Sequence, residues 1–119
     1  MIEGEHLMDF NFDNVKVETY IPKQYVDSLR SHLNDIGALT IDENYDNCIS
    51  VSETTGYWRP LEGANPFKGT VGQICKSKEC KLEFCCHKGL IEKVLIEIKK
   101  NHPYEQPVIN IIPIINPQF

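Results

Sequence analysis

Apolar and polar residues alternate over residues 15–21, VKVETYI, with Val15, Val17, Thr19 and Ile21 set against Lys16, Glu18 and Tyr20. A period of two places the first set on one face of a strand, and Pro22 closes it. From Lys23 the spacing becomes helical: Tyr25, Val26, Leu29, Leu33 and Ile36 recur at threes and fours, and Gly37 stands where a helix stops. Between Cys48 and Trp58, β-branched and aromatic residues with weak alternation predict a second strand. Residues 59–73, RPLEGANPFKGTVGQ, carry two prolines and three glycines and predict a long connection. Alternation returns over 79–87, ECKLEFCCH, with Cys80, Leu82, Phe84 and Cys86 on one face. Leu90, Ile91, Val94, Leu95 and Ile98 then outline an amphipathic helix over 88–101, with Lys99 and Lys100 in the last turn, where they suit the helix dipole. A final strand, VINIIPII over 108–115, contains Pro113, which belongs on a sheet edge because proline cannot donate a ladder hydrogen bond.

The order strand, helix, strand, strand, helix, strand predicts an α+β, ferredoxin-like βαββαβ fold: an antiparallel sheet with two helices on one face. A length of 119 residues suits one domain spanning 1–119, with residues 1–14 as an N-terminal extension. That acidic start lacks the basic and apolar regions of a signal peptide, and no segment has the roughly 18 apolar residues of a membrane helix. A cytoplasmic chain is expected, without a membrane partner.

The net charge of −5, with no run of Lys or Arg longer than two, argues against a nucleic-acid partner. Five cysteines are an odd set with no secretory signal, so reduced thiols are expected. Cys80 and Cys86 share a strand face about 20 Å apart and cannot share a tetrahedral zinc ion. Only Cys85 and His87 could form half a site. Buried thiols are the expectation for Cys80 and Cys86.

Two segments carry candidate chemistry. In the 59–72 loop, Arg59 and Lys68 supply positive charge and Gly63, Gly69 and Gly72 permit close backbone approach, which suits an anionic ligand. Arg59, Glu62, Gly63, Asn65 and Lys68 are its candidate ligand-binding residues. The second segment, NHPYEQPVIN at 101–110, sets His102, Tyr104 and Glu105 between two prolines. Pro103 and Pro107 bias the preceding residues to extended backbone, so this segment reads first as a joint from helix to strand. An imidazole and a carboxylate, His102 and Glu105, also suit zinc or copper in ligand type, but two ligands are fewer than a closed site needs. No Ser-His-Asp or Cys-His-Asn set can be assembled, so a binding module is expected rather than an enzyme. His6 and His32 read as solvated bystanders.

The stretches GYWRPLEGANPFKGTVGQ and HPYEQPVINIIPI resemble the small domain inserted in YqfO-type members of the Nif-three-like family, which also occurs free-standing. The HPYE helix end is similar to that of CutA, a divalent-cation tolerance protein, and both belong with the P-II signalling proteins. The resemblance implies an often trimeric ferredoxin-like fold, and a loop that in P-II proteins helps bind nucleotide and engages partners. Relatives carry His before Cys in a second-strand segment like NYSHC; here the segment is NYDNC, with Asn47 in that place. The apolar last strand, Ile109 to Ile115, is an edge in need of cover. A homo-oligomer is therefore expected, a trimer first and a dimer second, with a small-molecule or protein partner near the loop.

Overall fold

The computed structural model describes residues 11–115, so His6 and residues 1–10 of the expected extension lie outside the described residues. Strand β1 runs Asn14–Ile21, helix α1 Val26–Asp35, β2 Ser50–Trp58, β3 Cys75–His87, helix α2 Ile91–Asn101 and β4 Ile109–Ile114. Short 3₁₀ turns, Lys23–Tyr25 and Lys88–Leu90, lead into the two helices. The four strands form one antiparallel sheet in the order β2-β3-β1-β4. This is the α+β, ferredoxin-like arrangement.

The core follows from strand parity. Val15, Val17, Thr19 and Ile21 of β1 are fully buried, as is Leu82 of β3, with Cys80, Phe84 and Cys86 close to it. Leu29 and Leu33 of α1 and Val94 and Ile98 of α2 pack against them, so both helices cover the same sheet face. The buried Thr19 hydroxyl donates to the Val108 carbonyl at 2.7 Å, tying β1 to the start of β4. Helix α1 ends at Gly37, whose φ of +82° is the left-handed conformation that glycine adopts without strain. On the helix-free face, Glu18 and Glu83 stand directly opposite each other in the ladder. Lys16 lies 3.0 Å and Lys81 3.2 Å from Glu83, and Lys81 is 3.4 Å from Glu18, so two lysines neutralise a pair of like charges. The hydrogen-bonded lysines hold the Glu83 carboxyl below its ordinary pKa, and Glu83 in turn raises both lysines.

Pro113 lies on the edge strand β4, opposite Val15. Two boundaries differ from the sequence expectation. Asn47 is not in β2, which begins at Ser50; it adopts φ +54° in the preceding turn, where its N–H donates to Asn34 Oδ1 at 2.8 Å and its side chain accepts from Arg30. Asparagine tolerates that left-handed backbone better than most residues. Strand β3 begins four residues before Glu79, and its burial changes face. Cys75, Ser77 and Glu79 are covered in the first part, then Cys80, Leu82, Phe84 and Cys86 in the second. The change falls where β1 runs out, at the pair Ile21 and Cys80. A single alternation cannot extend through such a switch, so the pattern of 79–87 reveals only the second part.

Leu82 sits fully buried between β1 and the helices, and Leu82→Ala should lose about 3 kcal/mol by urea denaturation. A loss below about 1 kcal/mol would mean that the site collapses without leaving a cavity.

Candidate functional site

Beyond the end of β1, the paired strands β2 and β3 continue as a two-stranded ribbon whose helix-free face has no sheet neighbour to cover it. Residues 59–68 fold back over this face. The Trp58 indole N–H donates to the Lys68 carbonyl at 3.2 Å, and the Gly72 N–H donates to the Pro60 carbonyl at 2.8 Å, which fixes the loop at its base. The 102–108 joint meets it from the other side, where Glu105 Oε1 accepts the Asn65 N–H at 3.3 Å. The two segments singled out in the sequence, 40 residues apart, thus close on one another.

Between them lies a cleft of about 470 Å³ whose apolar walls include Tyr20, Trp58, Pro60, Phe67 and Tyr104. That volume is in the range of small-molecule sites. Tyr104 is the hub: its ring centroid lies 6.1 Å from Phe67, 6.5 Å from Trp58 and 4.9 Å from His102. Phe67 in turn meets Tyr25 edge-on at 6.3 Å. Such spacings are those of interacting aromatic pairs.

Arg59 and Lys68 both line the cleft and are exposed at its rim, and Lys68 Nζ donates to Ser77 Oγ at 2.9 Å. Glu62, Gly63 and Asn65 are exposed but do not line it; the loop turns them outward, and Asn65 contributes only its backbone N–H to Glu105. His102 and Glu105 are near each other but engaged elsewhere. The buried His102 ring donates from Nε2 to the Tyr20 carbonyl and accepts the Tyr104 N–H at Nδ1, 3.1 Å away. Its one free lone pair is therefore occupied, and a metal could bind only by breaking that bond. Among the described residues no three His, Cys, Asp or Glu side chains group closely enough to hold a metal ion. The residues present do not fit a metal here.

The thiols contribute nothing to the cleft's chemistry. Cys80 and Cys86 are buried, and burial raises the Cys86 pKa. Cys85 is exposed, while His87 Nδ1 accepts the Gly89 N–H at 2.9 Å. His32 is likewise tied locally, its Nδ1 2.7 Å from the Ser28 carbonyl.

Sequence reasoning missed Glu79. In the run KSKEC it reads as one more solvated charge, but it is only 9% exposed and lines the cleft. Glu79 Oε2 and the Tyr104 hydroxyl are both buried, and among the described residues neither has a hydrogen-bond partner beyond the other's side chain. Burial first, and then the hydrogen bond to the Glu79 carboxylate and its charge, raise the Tyr104 pKa far above its ordinary value. Gly56 was the available signal. A glycine within a strand marks close approach, and any side chain there would collide with Glu79 Oε1.

Comparison with known proteins agrees with this architecture. No family model matches the chain. It is 38% identical over 97 residues to the GTP cyclohydrolase 1 type 2 homolog of Staphylococcus epidermidis, which covers 82% of this chain and 26% of the relative. The corresponding Bacillus subtilis protein is 37% identical over 99 residues. The chain thus spans about a quarter of the length of the curated relatives it matches. Among solved structures, a Bacillus cereus protein related to NIF3 superposes with a TM-score of 0.76 at 30% identity, over 90% of this chain and 27% of that one. The divalent ion tolerance protein CutA1 of Ehrlichia chaffeensis superposes with a TM-score of 0.66 over 92% of this chain and 88% of its own, at 17% identity, and so shares the fold.

Burial lowers the His102 pKa below its ordinary value near 6.5, outweighing the opposing Tyr20 carbonyl and Glu79 carboxylate. The unfolded chain therefore takes up the proton more readily than the folded one. This contribution to stability is present above about pH 6.5 and is lost as pH falls towards the folded-state value. Between about pH 7.5 and pH 5.5, His102→Gln should show a shallower fall in melting temperature than the wild type. Equal slopes would place the titration elsewhere.

Proposed function

We propose that this homologue of the YqfO-type segment of NIF3-related proteins is a binding module, acting without catalysis in the cytoplasm, whose site is the cleft between the 59–68 loop and the 102–108 joint. The observation that carries this reading is the meeting of those two segments around an aromatic-walled space with Arg59 and Lys68 at its rim. An apolar cavity with a few convergent polar groups is the usual form of a small-ligand site. The rim cations favour a ligand that carries an anionic group. The free thiols suit a reducing compartment, and no helix among the described residues is long and apolar enough to cross a membrane.

Arg59→Ala/Lys68→Ala should leave the melting temperature within a few degrees, since changes at exposed charges usually cost under about 0.5 kcal/mol. The same variant should abolish the thermal stabilisation that nucleoside monophosphates or sugar phosphates confer on the wild type. If none of these ligands stabilises the wild type, the reading fails. The rival reading, a divalent-metal site at His102 and Glu105, predicts zinc or copper binding tighter than micromolar by isothermal titration, lost in His102→Ala.

The chain also carries the marks of a homo-oligomer. Strand β4 is a sheet edge, and Ile112 and Ile115 are 40% and 66% exposed there. An apolar edge of this kind is a liability that association covers. A trimer is the assembly proposed, with a dimer second. Sedimentation equilibrium at micromolar concentration should return about three times the 13.7 kDa chain mass, and a monomer would defeat the proposal.

A further inference from the structure

The Tyr104 hydroxyl donates to the Glu79 carboxylate, so this pair in the cleft wall is already closed by a hydrogen bond, and what it retains is charge. Glu79 is buried, and among the described residues it joins no ion pair with Lys, Arg or His. A buried carboxylate with no cation beside it is costly, and one hydrogen bond offsets only part of that cost. Lys68 lines the same cleft, yet its Nζ is held at Ser77 Oγ, 2.9 Å away, and not at Glu79. Around the carboxylate the wall is aromatic, with Trp58 and Phe67 packed on Tyr104. Aromatic faces attract a cation without needing a hydrogen bond from it. We propose that the buried end of the cleft takes a quaternary ammonium group, caged by Trp58, Phe67 and Tyr104 beside the Glu79 charge, on a small free zwitterion whose anionic group meets Arg59 and Lys68. This rests on the cleft being a ligand site and names the class of ligand it selects.

The surroundings narrow the choice. Ser77 and Glu79 share one face of β3, separated by roughly 7 Å of strand rise, so the Lys68 ammonium at Ser77 and the Glu79 carboxylate suit a ligand whose own two charges stand a short linker apart. A lone cation would have to pass Arg59 and Lys68 at the rim, whereas a zwitterion brings no net charge for them to oppose. A primary ammonium carries three donors and needs acceptors for them, but the one carboxylate here already holds the Tyr104 hydroxyl. A fully methylated ammonium needs none. The bond to a carboxylate also enriches the Tyr104 ring in electrons, which strengthens its attraction for a cation.

The test is isothermal titration of the full chain with phosphocholine and with dimethylbutyl phosphate, the isostere in which carbon replaces the ammonium nitrogen. Phosphocholine should bind about tenfold more tightly, the scale of a desolvated cation–π contact. Glu79→Gln keeps the shape beside Gly56 and removes the charge, so it should bring phosphocholine down towards the isostere and leave the isostere unchanged. Phe67→Leu, at an exposed position, should weaken phosphocholine alone and keeps the test decisive if Glu79→Gln does not fold. Phosphatidylcholine vesicles should not sediment the chain; capture by them would assign the headgroup to a lipid and overturn the free zwitterion. Equal binding of the two phosphates, both lost in Arg59→Ala/Lys68→Ala, would leave the cleft as an anion site and overturn this inference alone. So would an undiminished preference for phosphocholine in either Glu79→Gln or Phe67→Leu. Absence of phosphocholine binding would overturn the inference also, while sugar phosphates test the cleft separately.

Discussion

Strand β3 outlasts β1, and the cleft exists because of that mismatch. A strand within a sheet must bury whichever face its neighbours leave bare. Over Cys80–Cys86, β3 lies between β1 and β2 and buries the helix-facing side; over Cys75–Glu79 it has only β2 beside it, and the opposite face is covered. No helix is available there, so a loop and a joint supply the cover. Loops pack less completely than helices because their backbone must keep its own polar groups satisfied. The space left beneath the loop is the cleft.

The polar groups around that space divide into two kinds. His102 is a finished joint: both ring nitrogens have backbone partners, and it fastens the end of α2 to the end of β1 through the Tyr20 carbonyl. Glu79 and Tyr104 line the cleft instead, and among the described residues Glu79 Oε2 and the Tyr104 hydroxyl have no partner beyond each other's side chains. An unsatisfied buried polar group costs about 1–3 kcal/mol, a large fraction of a small domain's stability. Segments that look alike in sequence, a histidine before a proline and a glutamate among lysines, therefore have opposite characters in the fold. The first fastens the architecture, and the second leaves a carboxylate in the cleft wall.

CutA1 shares the fold over nearly its whole length at 17% identity, as expected where the same two-layer packing of helices on a sheet can be met by many apolar residues. Identity rises to 37–38% with the corresponding segment of the GTP cyclohydrolase 1 type 2 homologs.

The elements themselves were legible from the chain. Alternation in VKVETYI and ECKLEFCCH, helical spacing from Lys23 and from Lys88, and Pro113 in the last strand led directly to β1, the second part of β3, both helices and an edge β4, because one buried face imposes one period on each. The joint character of HPYEQP was also readable, since proline constrains its neighbours locally. The first part of β3 was not, because its buried face is the opposite one and its cover comes from residues 59–68. Nor was Glu79, whose burial depends on a glycine 23 positions earlier and a tyrosine 25 positions later. Periodicity reports the environment of a whole element. Whether one polar side chain ends in water or in a cleft depends on which distant segments fold over it, and only the tertiary structure decides that.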